Sequence, residues 1–243
     1  MKKKVLITGA SHGIGKASAR RFAKEGCTLI LNCMHSKETL EALQTELQTD
    51  YAVDCLTFTG DISSPDFVKQ MFRDAEKRFG GIDILINNAG VSHIGLLSEM
   101  RDEEWRRVMS VNLDSVFYCC REAIPYMLSK KSGRILNISS VWGNAGASME
   151  AAYSASKGGV NALTKALAKE LAPSNIQVNA LAFGVIDTRM NQCFSPEERT
   201  ALEEEIPAGR FGTVEEAADA IYQLANAPSY LTGQVITMDG GWC

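Results

Sequence analysis

The chain has 243 residues, 45% of them apolar and 22% charged, with a formal net charge of −4. That is enough to bury one large α/β core, and with no long basic run it offers no electrostatic grip on nucleic acid or an anionic membrane. No stretch of about 18 apolar residues could span a bilayer, and the opening MKKKVLITGASHG loses its apolar run at Ile7, too early for a secretory signal.

Apolar runs of strand length alternate with segments of helical period. KVLIT (4–8) predicts a strand, IGKASARRFAKEG a helix, TLILNC (28–33) a second strand, SKETLEALQTEL a helix and CLTFTG (55–60) a third strand. In SSPDF, Ser64 reads as an N-cap, Pro65 as the first helical residue and Asp66 as an acid on the positive end of the dipole. Strands follow at 83–90, 133–139, 176–182 and 234–238. Between them, a helix over 102–130 is expected to bury Trp105, Val108, Val116, Cys120 and Ile124 and to bend at Pro125. A second, over 151–172, ends at Pro173. The rhythm is βαβ throughout, so the expected fold is a doubly wound, parallel, seven-stranded α/β sheet in a single domain. Seven cysteines (27, 33, 55, 119, 120, 193 and 243) lack CxxC spacing and have only three histidines for company. They read as core fillers in a reducing cytoplasm, with no metal site and with Cys193 and Cys243 at the surface.

Three stretches carry chemistry. TGASHGIG follows the first strand and opens the first helix, with Gly9, Gly13 and Gly15 at the turn, the context in which backbone amides and a helix N-terminus receive a pyrophosphate. NNAG (87–90) ends the fourth strand at the carboxyl edge, where open sheets bind ligands. YSASK puts Tyr153 and Lys157 one helical turn apart on one face. A cation there would lower the phenol's pKa from about 10 toward a usable acid or base; the plain alternative is a half-buried aromatic beside a snorkelling lysine.

With TGASHGIG, NNAG, Asn112 in SVNLDSVF, NISS at 137–140 and YSASK in this order, the chain resembles the short-chain dehydrogenase/reductase family over essentially its whole length. In DEEWRRVMSVNL, IPAGRFGTVEEAADA and LTGQVITMDGG it resembles that family's 3-oxoacyl-(acyl-carrier-protein) reductases. The resemblance implies a Rossmann fold over 1–243 with a substrate lid at about 189–212, and a cytoplasmic oxidoreductase of fatty acid biosynthesis that reduces a 3-oxoacyl thioester. It implies that Tyr153 gives a proton to the carbonyl oxygen, that Lys157 lowers the phenol's pKa and binds the nicotinamide ribose, and that Ser140 holds the same oxygen. Ser140 is preferred to Ser139 because it lies thirteen residues before the tyrosine, as in those reductases, and because neighbouring strand residues face opposite ways. Asn112 would hold a water in a proton relay, although from the sequence it could face either way. Cofactor contacts are expected at Gly9, Ser11, His12, Gly13, Ile14 and Gly15, at Asn88, Ala89 and Gly90, and at Val185, Ile186 and Thr188. Asp61 and Ile62 follow the third strand; Asp61 either accepts from the adenine amino group or caps the next helix.

Where an NAD enzyme of this fold offers a carboxylate at the end of the second strand, this chain has Cys33. NADPH is therefore favoured over NADH, with His12, His35 and Lys37 nearby as donors or as surface decoration. His12 stands where many NADP-dependent relatives carry arginine, and a neutral imidazole is the weaker phosphate ligand. Phe183 replaces a proline usual in the family beside the nicotinamide. Basic residues that would receive an acyl carrier protein are expected at Lys130 and Lys131, with Ser174 where a second contact would stand, and Glu203 to Glu205 read as a solvated outer helix face. SSVWGNAGASMEAAYSASK is also similar to reductases acting on a 5-aminopentanone group attached to elongation factor P. A non-catalytic dinucleotide-binding regulator is the reading of another class; Ser140, Tyr153, Lys157 and Asn112, all present in order, argue against it. The family's habit of pairing long helices implies a homotetramer through 102–130 and 151–172, using Phe117, Tyr118, Ile124, Tyr126, Met127, Val160, Leu163 and Leu167.

Overall fold

Short strands that are apolar on both faces decide the architecture. The computed structural model describes residues 2–191 and 194–243, so Cys193 lies outside the described residues. In chain order the elements are β1 (Lys4–Ile7), α1 (Gly13–Lys24), β2 (Thr28–Cys33), α2 (Lys37–Tyr51), β3 (Cys55–Thr59), α3 (Pro65–Phe79) and β4 (Ile84–Asn87), then α4 (Asp102–Met109), a π-helical turn (Ser110–Asp114) and α5 (Ser115–Lys130). After these come β5 (Gly133–Ser140), the short α6 (Trp142–Ala145), α7 (Ala151–Leu171), β6 (Ile176–Phe183), α8 (Pro196–Glu205), α9 (Val214–Ala225) and β7 (Val235–Met238). All seven strands are parallel, in the order β3-β2-β1-β4-β5-β6-β7.

Alternation sorts the strand side chains between two cores. Val5, Ile7, Leu29, Leu31, Ile84, Ile86, Leu136 and Ile138 pack with Phe22 of α1, Leu40 and Leu43 of α2 and Ile221 of α9. Leu6, Ile30, Leu85, Ile135 and Val178 pack on the other face with Val68 and Met71 of α3, Val116 and Cys119 of α5, and Val160 and Ala168 of α7. Because the strand order reverses at β1, the crevice where ligands bind in such sheets opens between the carboxyl ends of β1 and β4. On the second face, Asn87 of β4 donates to Asn137 of β5 (2.9 Å), and Asn137 donates to Thr164 of α7 (2.8 Å). This buried polar ladder ties α7 to the middle of the sheet.

Helix ends follow their caps. Ser64 accepts from Phe67 N at 3.4 Å ahead of Pro65, and Ser195 and Glu198 form a reciprocal capping box on α8, as do Thr213 and Glu216 on α9. The region expected as one helix over 102–130 is two helices joined by the π-helical turn. Trp105 is exposed (38%) and Ile124 half-buried, whereas Val108, Val116 and Cys120 are buried. For Trp105 the turn is the reason, since α4 and α5 do not share one continuous apolar stripe, whereas Ile124 lies at the margin of the buried face of α5. Five cysteines are buried (27, 33, 55, 119 and 120) and Cys243 is exposed.

Lys130 and Lys131 stand before β5, at the amino edge of the sheet, where Lys130 is bound to Asp83 at 2.5 Å. They are at the opposite end of this chain from the crevice, which corrects the expectation that they flank its entrance. No helix among the described residues is long and apolar enough to cross a membrane.

Candidate active site

The segments leaving β1, β4, β5 and β6 enclose a cavity of about 720 Å³. The turn after β1 can sit close under β4 because Gly9 and Gly15 lack side chains: a Cβ on Gly9, whose φ is +66°, would lie 2.9 Å from Ala89 Cα, and one on Gly15 would lie 2.4 Å from Gly9 O. At Gly13 a Cβ would meet only Thr188, at 3.4 Å, so the turn stays open toward the cavity there. His12 is the N-cap of α1 but makes no side-chain cap, which leaves the first amides of the helix free for an anion. These features fit a dinucleotide's phosphates. Gly9, His12, Gly13, Ile14, Asn88, Ala89 and Gly90 line the cavity from this side, and Val185, Ile186 and Thr188 from the other. Asn88 braces the turn, donating to the carbonyls of Thr8 (2.9 Å) and Gly9 (3.1 Å).

Ser11, Gly15, Cys33, Asp61 and Ile62 do not line this cavity. Ser11 is buried beside it and its hydroxyl meets His12 Nδ1 at 3.0 Å. The Cys33 thiol is 2% exposed, packed in the core of the first face, and burial pushes its pKa up. Asp61 spends Oδ1 on the amide (2.8 Å) and hydroxyl (2.7 Å) of Ser63, a turn that leads into α3, and Ile62 is buried in the second core. Asn32, unremarked in the sequence, binds the carbonyls of Cys33, Phe58 and Gly60 and so holds the ends of β2 and β3 together.

Strand parity separates the two serines at the end of β5. Ser139 turns to α7, donating to Asn161 Oδ1 at 2.6 Å. Ser140 turns to the cavity, where it stands beside the phenol of Tyr153 and accepts from Trp142 N at 3.2 Å. Lys157 is 4% exposed; its Nζ lies 5.6 Å from the Tyr153 ring centre and donates to Ile138 O at 2.8 Å. A Cβ on Gly90 would make only ordinary contact with Nζ, at 3.6 Å.

Burial sets both ionisations. Lys157 is driven down to about 8. Tyr153 is pushed up to about 12, against the pull of the Ser140 hydroxyl and with a smaller push from Glu150. Desolvation, not a charge from Lys157, therefore governs the phenol, which stays protonated at neutral pH, suited to donating a proton.

Asn112 faces inward from the π-helical turn, 1% exposed. Its Oδ1 accepts from Val91 N (2.8 Å), and its Nδ2 donates to Val91 O (2.9 Å) and to Ser156 Oγ (3.0 Å). It pins the segment after β4 to the helix that carries Tyr153.

Several lining residues had little or no local signal. Trp142 meets Trp242 edge-to-face, ring centres 4.9 Å apart, across a hundred residues of sequence. Glu150, bonded to Ser92 at 2.7 Å, also lines the cavity; only its place one turn before Tyr153 could have pointed to it. Glu205, though exposed, lines the cavity, which corrects the reading of 203–205 as wholly an outer face; Glu203 is bound to Arg199 and Glu204 is exposed. Phe183 opposes Ser140 in register and is 4% exposed beneath it.

Residues 3–199 match the short chain dehydrogenase family. The chain is 40% identical over 242 residues to the 3-oxoacyl-[acyl-carrier-protein] reductase FabG of Staphylococcus aureus, covering 99% of this chain and 98% of the relative. It is 43% identical over 241 residues to the FabG of Thermotoga maritima (98% and 97%) and 37% identical over 243 residues to the uncharacterized oxidoreductase YmfI of Bacillus subtilis (100% and 99%). Matched along its length in this way, the chain belongs to the short-chain dehydrogenase family and is an NAD(P)-dependent oxidoreductase acting on carbonyl and hydroxyl groups.

Proposed function

We propose that the protein is an NADPH-dependent carbonyl reductase that converts a 3-oxoacyl thioester to its 3-hydroxyacyl product. The observation that carries this reading is the Ser140–Tyr153 hydroxyl pair at the wall of the cavity, with Lys157 buried behind it. NADPH supplies the hydride when bound. Ser140 and Tyr153 bind the carbonyl oxygen, and Tyr153 gives up its phenolic proton as negative charge develops there. Lys157, still mostly protonated at neutral pH, holds the nicotinamide ribose hydroxyls and stabilises the phenolate left behind. Asn112 fixes the wall beside Lys157, and its second Oδ1 lone pair is the place for a relay water. The glycine turn and Thr188 hold the phosphates. A thiol in place of a carboxylate at the end of β2 supports NADPH over NADH, since the strand end itself carries no charge to repel a 2′-phosphate. The test is loss of 340 nm absorbance with NADPH and acetoacetyl-coenzyme A; no turnover would remove the thioester reading.

A second reading, reduction of a 5-aminopentanone group on elongation factor P, is favoured by the charge of the substrate wall. Glu150, Glu205 and the two indoles of Trp142 and Trp242 suit an ammonium better than a carrier's phosphate. A charge series decides between the two: 5-amino-2-pentanone reduced in preference to 2-pentanone and 4-oxopentanoate supports the second reading, and indifference to charge opposes it.

Assembly as a homotetramer is supported by Phe117 (46% exposed) beside half-buried Tyr118, Ile124, Leu163 and Leu167. Met127 and Val160 are taken up by the chain's own core, and Tyr126 by Lys4 at the amino edge. A monodisperse monomer in light scattering would refute it.

A further inference from the structure

Arg189 follows Thr188 directly and opens the 3₁₀ turn Arg189–Asn191, lining the cavity where this segment touches the glycine turn at Gly13. Its side chain is exposed, and among the described residues no carboxylate pairs with it. The nearest candidate in sequence, Asp187, is committed to Arg199, which grips both its oxygens at 3.1 and 3.0 Å. Most other arginines are spent in the same way: Arg20 on Glu46, Arg21 on Glu25 and Asp219, Arg210 on Glu216. A guanidinium left without a carboxylate beside the open N-terminus of α1 is a fork for a phosphate. His12, the other side chain at that turn, does not compete for the task. Burial, then Arg189 itself, then Lys16 hold its pKa below the ordinary histidine value, so it is neutral at physiological pH.

We propose that Arg189 is the cationic ligand of the dinucleotide's bridging phosphates, closing over the glycine turn from the lid side. The inference rests on the cofactor reading above and adds a residue to it. The bridging phosphates are common to NADPH and NADH, whereas the 2′-phosphate belongs to NADPH alone and the phosphates of a coenzyme A thioester to the substrate; comparing ligands therefore separates the three sources. Dissociation constants for NADPH and NADH are measured by nucleotide fluorescence on the parent protein, Arg189→Met and Arg189→Lys, with far-UV circular dichroism to show that all three fold. The expected result is a roughly tenfold loss for both dinucleotides in Arg189→Met, a shallower dependence on salt, and partial recovery in Arg189→Lys. Unchanged binding of both dinucleotides overturns the proposal, as does a loss confined to NADPH, which would place the contact on the 2′-phosphate. A raised KM for the thioester with intact dinucleotide binding also overturns it, in favour of a substrate phosphate. If the parent binds neither dinucleotide, the cofactor reading itself fails and the proposal goes with it.

Discussion

Replacing Lys157 by methionine is expected to make the protein more stable while removing its chemistry. The ammonium's ordinary pKa is 10.5 and burial takes it to about 8. At pH 7 the folded chain therefore carries a charge that destabilises it by roughly 3 kcal/mol relative to the unfolded chain. Methionine fills similar space without charge but leaves the Ile138 carbonyl, which Nζ meets at 2.8 Å, without that donor, a loss of about 1 kcal/mol. The net gain is about 2 kcal/mol, or roughly 4–8 °C in midpoint for a chain of this length. The sign of the pH dependence follows from the two pKa values. Between about 8 and 10.5 the unfolded parent keeps a proton that the folded parent has released, so the parent gains stability as pH rises through that window and the variant does not. The advantage should contract to less than about 1 kcal/mol by pH ~9.5. Urea unfolding followed by tryptophan fluorescence at the two pH values, alongside NADPH oxidation, measures both effects. A variant less stable than the parent at pH 7, or an advantage that does not shrink with pH, would refute the argument that Lys157 is held against its own solvation.

Tyr153→Phe keeps the ring and removes the proton, so turnover should fall by roughly 10²–10⁴ with dinucleotide affinity nearly unchanged; steady-state rates near the parent's would remove Tyr153 from its role. Asn112→Ala strips the partners from Val91 N, Val91 O and Ser156 Oγ and should lower unfolding free energy by about 2–4 kcal/mol; a chemical denaturation curve superimposable on the parent's would show the pin to be dispensable. Cys33→Asp puts a carboxylate at the end of β2 in a place only 2% exposed. It should lower the melting temperature and weaken NADPH at least about tenfold relative to NADH, and an unchanged ratio of the two dissociation constants would disprove the assignment of that strand end to the ribose.

Much of the scaffold was legible because short continuous apolar runs such as KVLI and TLILNC, alternating with segments of helical period, read as strands buried on both faces, and βαβ connections then make them parallel. Parity along a strand likewise sets Ser139 and Ser140 on opposite faces without coordinates, and the thirteen-residue spacing to Tyr153, shared with the reductases the chain resembles, chooses between them. What the sequence hid was anything depending on desolvation or distant approach. The i, i+4 spacing of Tyr153 and Lys157 announces contact but says nothing of how deeply both are buried, and depth reverses the expected shift of the phenol. Trp105 looked like a core residue because a single helical period was assumed across 102–130. Arg189 sits beside a recognised threonine, yet its lack of a carboxylate becomes visible only when Asp187 is seen folded back onto Arg199. The contact between Trp142 and Trp242 has no local trace at all.

The π-helical turn at Ser110–Asp114 separates two kinds of fitness in this chain. Such a turn holds one residue more than an ordinary α-helical turn, so losing one residue there would let α4 and α5 fuse into a single regular helix, a change the backbone itself would welcome. The same loss would rotate one helix against the other by about 100° and swing position 112 off Val91 and Ser156. Single-residue deletions in this stretch would therefore gain a more regular backbone while losing the Asn112 bonds and turning the buried face of α4 or α5 away from the core. Local helical regularity is given up here for the packing of both helices and the placement of position 112.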